Sequence, residues 1–103
     1  MIKIQIYKEN SRFKTNDLKI KKLLISFYEK RNFNDLNISI AFVSKKTMLS
    51  LAKKYYKDTR LHNVFSFEDP KEIVVCLETI KSENELYKLL IHSAKHTIGI
   101  HHR

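Results

Sequence analysis

Ile2, Ile4 and Ile6 alternate with Lys3 and Gln5 at the start of the chain, a period of two that predicts a strand with one buried face. The polar stretch Lys8-Glu9-Asn10-Ser11 ends it. The period then lengthens: a helix is predicted over about residues 16–30, with Leu18, Leu23, Leu24, Phe27 and Tyr28 as its apolar side and Thr15 or Asn16 as N-cap. Residues 31–35 read as a turn. Leu36, Ile38, Ile40 and Phe42 alternate with Asn37, Ser39 and Ala41, a second half-buried strand. Ser44 then caps a helix reaching about Tyr56, with Met48, Leu49, Ala52 and Tyr55 facing inward.

After a polar loop over residues 57–62 come two short apolar runs, Val64, Phe65 and Phe67, then Ile73, Val74, Val75 and Leu77. Glu68-Asp69-Pro70-Lys71 between them suits a tight connection between two strands. Ser82 and Glu85 have capping-box spacing and open a final helix carrying Leu86, Leu89, Leu90 and Ala94. The expected architecture is a compact α+β domain over residues 1–103: a mixed sheet of about four strands with three helices against it. No repeat, linker or low-complexity segment interrupts it.

Composition narrows the picture. At 103 residues and 43% hydrophobic, the chain has the makings of a folded core and not of a disordered tail. The alternating N-terminus has no long apolar core and so does not read as a signal peptide, and no run approaches membrane-spanning length. The single cysteine, Cys76, has no partner for an internal disulfide and reads as a buried small hydrophobe, which suits a reducing cytoplasm. Twenty Lys and Arg against 11 Asp and Glu leave a net charge of +9, favouring a polyanion such as nucleic acid. The charges are spread along the chain, so they name no site.

Chemistry concentrates at the C-terminal end, where four of the five histidines fall in His92-Ser93-Ala94-Lys95-His96-Thr97-Ile98-Gly99-Ile100-His101-His102-Arg103. His92 and His96 share a helix face, and Gly99 can turn the chain back, so His92, His96 and His102 can converge on one metal ion. Three imidazoles at about 2.0–2.1 Å leave a fourth position for water, the pattern of a catalytic zinc site. A bound water whose pKa drops from about 15.7 to about 7 makes phosphodiester attack plausible. The zinc-peptidase pattern needs Glu directly after the first ligand, and Ser93 stands there, which argues against a peptidase. The plainer alternatives are a solvated end whose histidines complement the helix dipole, or a tag; the Ile98-Gly99-Ile100 interruption argues against the latter.

The spacing His-x3-His-x5-His, with Gly99 inside it, resembles the motif His-Gly-x-Leu-His-Leu-x-Gly-Tyr-Asp-His of the YbeY family of metal-dependent endoribonucleases, or rRNA maturation factors. Upstream, Leu51-Ala52-Lys53-Lys54-Tyr55-Tyr56 followed by His62-Asn63-Val64-Phe65-Ser66-Phe67 is similar to the family's Leu-Asn-x-x-Tyr-Arg and Thr-(Asp or Asn)-Val-Leu-Ser-Phe segments at the same separation. Glu72-Ile73-Val74-Val75-Cys76 resembles the strand Gly-Asp-Ile-Val-Ile-Ser that follows them. By motif the likeness covers about residues 48–102.

The resemblance implies a zincin-like helix holding one divalent metal, expected to be zinc, through His92, His96 and His102. It also implies single-strand-specific RNA cleavage in 16S rRNA 3′-end maturation and ribosome quality control, with the small ribosomal subunit as partner and no membrane. Metal-bound water with Lys57 and Arg60 is the expected catalytic set; Lys53, Lys54, Lys57, Arg60 and His62 are expected on RNA phosphates, and Asn63 and Ser66 in the cleft. The chain departs from the pattern in three places: Tyr56 stands where the family has arginine, His101 replaces an aspartate and could compete with His102 as third ligand, and the end at Arg103 reads, by the resemblance, as that of a C-terminally short member. Metal binding is expected to order that segment. Two alternatives stay open: a non-catalytic RNA-binding or ribosome-assembly factor, and a metallohydrolase of a smaller substrate.

Overall fold

The computed structural model describes residues 1–100. Strands β1 (Ile2–Lys8), β2 (Leu36–Val43), β3 (Val64–Glu68) and β4 (Lys71–Cys76) and helices α1 (Asp17–Glu29), α2 (Lys45–Tyr56) and α3 (Glu83–Thr97) follow in the order β1-α1-β2-α2-β3-β4-α3 that the periodicity predicts. Leu77, expected in the last strand, instead starts a short 3-10 turn, Leu77–Thr79. The four strands form one sheet in the order β1-β2-β4-β3. β1, β2 and β4 run parallel, and β3 lies antiparallel to β4 at the edge, so the protein is a small α+β domain with a mixed sheet.

Register follows the buried face. Ile4 pairs with Ile38, Ile6 with Ile40, Ile40 with Ile73 and Phe42 with Val75, which stacks isoleucine and valine on one side of the sheet. α1 and α3 cover that side through Ile20, Leu24, Phe27, Leu86, Leu90 and Ala94. α2 covers the other, packing Met48 and Ala52 over Val43, Val74, Cys76 and Phe65. Strands β2 and β4 are therefore buried on both faces.

The helix starts are capped as their residue types suggest. Asn16 accepts from the Lys19 N–H at 3.1 Å, Ser44 from that of Thr47 at 3.2 Å, and Ser82 from that of Glu85 at 3.1 Å. The hydroxyls of Ser44 and Thr47 also donate to Oε1 of Glu9, at 2.9 and 2.8 Å, joining the start of α2 to the end of β1. The Glu85 carboxylate takes the N–H of Lys81 at 3.2 Å, one residue ahead of the usual reciprocal partner.

Four of the expected core positions change. Leu18 is 64% exposed and Leu23 half-buried, while Ile20 is fully buried in their place. The buried face of α1 runs through Ile20, Leu24, Phe27 and Tyr28, an i, i+4, i+7, i+8 stripe, and Leu18 lies two residues off it, on the opposite side of the wheel. On α2, Leu49 is turned one position from the Met48–Ala52 line and is exposed. Tyr55 lies along that line, but in the last turn, where it rests edge-on against Phe67 of the edge strand at 5.8 Å and remains 54% exposed.

One buried polar pair spans the helices. The Thr97 hydroxyl donates to the Ala94 carbonyl at 2.6 Å, so Tyr28 must donate its own proton to Thr97 Oγ1 at 2.7 Å. Both residues are fully buried, and the bond fixes the last turn of α3 against α1. Cys76 is buried as expected, and burial, aided by the Glu78 charge, pushes its thiol up in pKa. Among the described residues no helix is long and apolar enough to cross a membrane.

Candidate metal centre

α3 places His92 and His96 one turn apart, and the helix lies against β3 and β4. Their rings stand 4.7 Å apart at 71°, with the two Nε2 atoms 3.1 Å from each other. Two nitrogens bound tetrahedrally to one zinc at about 2.0–2.1 Å are roughly 3.3–3.4 Å apart, so the pair is close to the spacing that a shared ion requires. Neutral imidazoles are also the right donor type.

The pair borders a cleft of about 280 Å³ lined by Tyr56, Val64, Phe65, Ser66, Glu68, His92, Ser93 and His96. The cleft straddles edge strand β3, with α3 on one side and the end of α2 on the other. Ser66 lines it as expected; Asn63 is exposed just before β3 and accepts from the Cys76 N–H through its backbone carbonyl. Ser93 is fully buried and its hydroxyl has no hydrogen-bond partner among the described residues, an orphan that a water or ligand atom in the cleft would satisfy. Glu68 is the one carboxylate among the described lining residues.

The helix ends as the sequence suggests. Gly99 adopts φ +83°, its N–H meets the His96 carbonyl at 3.1 Å, and the Ile100 N–H meets the Lys95 carbonyl at 2.9 Å. These two bonds form a Schellman motif, which reverses the chain back over the final turn. Among the described residues a Cβ at Gly99 would meet nothing nearer than Oε2 of Glu68 at 4.0 Å, so the positive φ is what favours glycine there. His101 and His102 lie outside the described residues. Among the described residues no group of three or more His, Cys, Asp or Glu side chains could hold a metal; the structure gives two converging imidazoles.

The fold has a solved counterpart. The solution structure of TM1509 from Thermotoga maritima, VT1, matches with a TM-score of 0.59 at 22% identity, covering 97% of this chain and 75% of that one. The likeness is one of fold. No family model matches the sequence, and no curated protein matches it.

The side chains expected on RNA lie apart from the histidine pair. Lys53, Lys54 and Lys57 are exposed around the end of α2, where Lys57 takes the left-handed conformation that ends the helix, and none of them lines the cleft. Arg60 and His62 converge instead on Asp58, which the sequence reading passed over. Its carboxylate accepts from the Arg60 backbone at 2.9 Å and from Nη2 of Arg60 at 3.1 Å, and pairs with Nε2 of His62 at 2.8 Å. The Asp58-x-Arg60-x-His62 spacing was the available signal.

These bonds, those of Arg60 foremost, hold the Asp58 carboxyl well below its usual range. A carboxyl depressed in the folded state contributes stability above its unfolded pKa of 3.8, and that contribution fades as pH falls below this value toward the folded one. The melting-temperature difference between wild type and Asp58→Asn is therefore expected to be present at about pH 6 and to shrink by about pH 2. A difference that stays constant across that range would remove the carboxylate from the loop's stability.

Proposed function

We propose that this chain is a YbeY-like, metal-dependent endoribonuclease that cleaves single-stranded RNA, with 16S rRNA of the small ribosomal subunit as substrate. The observation that carries the reading is the His92–His96 pair, Nε2 atoms 3.1 Å apart at the edge of a cleft. The net charge of +9 and the three motifs in family order support it. His92 and His96 hold one divalent ion, zinc by the resemblance, with His102 as the third ligand. Such an ion supplies a Lewis acid beside the phosphodiester and an acidified water. Glu68 supplies a carboxylate on the cleft, where the sequence has lost the family aspartate before the last ligand. Lys53, Lys54 and Lys57 draw the RNA backbone toward the cleft mouth from outside it.

One observation favours other readings: no Lys or Arg is among the described lining residues, and Arg60 is engaged with Asp58. That fits an RNA-binding factor that does not cleave, or a hydrolase of a smaller substrate. Zinc-loaded protein incubated with a single-stranded fragment of 16S rRNA separates all three. Cleavage that falls at least about 100-fold in His96→Ala supports the nuclease. Binding without cleavage leaves the factor, and turnover of a small phosphodiester without RNA cleavage leaves the small-substrate hydrolase.

A further inference from the structure

Tyr56 ends α2 where the family resemblance expects a cation, and the residue is 51% exposed. An exposed tyrosine is ordinary; this one is part of a layered arrangement. Its ring lies 4.9 Å from that of Phe65 with 32° between planes, and Phe65 lies 5.0 Å from His62 at 42°. Phe65 is buried, so the inner ring is held by the fold and backs the outer one.

Tyr56 and Phe65 line the same cleft as His92 and His96, and no Lys or Arg is among its described lining residues. Two aromatic rings thus stand in the lining beside the two imidazoles, with Val64, Ser66 and Glu68 between them and the histidines' helix. Lys53, one helical turn before Tyr56, and Lys57, the next residue, are exposed and bring positive charge to the same end of α2. An aromatic face flanked by cations matches a nucleotide strand, whose bases stack while its phosphates pair. A duplex hides base faces inside its own stack, so this arrangement suits an unpaired base.

We propose that Tyr56 is a base-stacking residue, seating one unpaired nucleobase against the Tyr56–Phe65 pair beside His92 and His96. The inference rests on the RNA reading above and adds to it a residue that decides for single strands. Stacking needs the ring and not the hydroxyl.

The test is the affinity of the full chain for a short single-stranded oligoribonucleotide, and for an abasic ribose-phosphate strand of equal length, by fluorescence anisotropy. Tyr56→Phe is expected to bind the intact strand within about 2-fold of wild type, and Tyr56→Ala on the order of 10-fold more weakly. On the abasic strand the alanine variant is expected to match wild type within about 2-fold. Equal losses on both strands, or no loss on either, overturn the stacking role while leaving the RNA reading intact. Wild type that binds zinc but neither strand overturns both.

Discussion

His92→Ala and His96→Ala are each expected to lower zinc affinity by more than about 100-fold, so that wild type retains about one equivalent after dialysis and either variant less than about a tenth. Loss of a hydrogen-bond partner behind a metal ligand typically costs 10–100-fold, and loss of the ligand itself costs more. Two nitrogens 3.1 Å apart on one helix would act as a chelate in the proposed site, so removing either would remove the pre-positioned pair. His92 is exposed, and its replacement is expected to leave the melting temperature almost unchanged. Elemental analysis with a thermal scan checks both points. Wild type with under about a tenth of an equivalent, or variants that keep their metal, would remove these histidines from any metal site.

The largest effect on stability is expected from Leu90→Ala. Leu90 is fully buried beneath α3, in the cluster that holds Ile40, Ile73 and Val75, so truncation removes transfer energy and leaves a cavity, a cost of about 3 kcal/mol. For a domain of this size that lowers the melting temperature by roughly 12–24 °C. Leu18→Ala, the same change at an exposed site, is expected to stay within about 0.5 kcal/mol. Calorimetry or urea titration of the two variants makes the comparison. Equal losses would contradict the assignment of the buried faces of α1 and α3.

Those two leucines show what the sequence makes legible. Alternation marked β1, because a strand with one wet face writes its burial directly into every second residue, and β2, whose second face carries Asn37, Ser39 and Ala41 on the α2 side. The caps at Asn16, Ser44 and Ser82 and the turn at Gly99 were equally readable, being local chemistry within a few residues. Residue type points to Leu18, but helical angle puts Ile20 on the buried face and leaves Leu18 exposed. Tyr55 has the right angle, but periodicity along one helix does not report where the neighbouring sheet ends.

The candidate site divides in the same way. The His92–His96 approach follows from helical spacing alone. Tyr56, Phe65 and Glu68 meet those histidines only because β3 returns beside α3, a non-local pairing that no window of sequence contains. The engagement of Arg60 with Asp58 was likewise hidden, since a count of basic residues does not say which of them are already spoken for.

The two walls of the cleft differ in how they are anchored. α3 is held by core leucines and by the buried Tyr28–Thr97 hydrogen bond, so freeing it requires opening most of the domain. Among the described residues β3 is hydrogen-bonded to a strand on one side only, that of β4, so it is expected to open locally at lower cost than α3. The amides around the histidines are therefore expected to exchange more slowly than those of β3. On warming, the cleft is expected to open from the β3 side first, at a temperature where the imidazole pair is still in place.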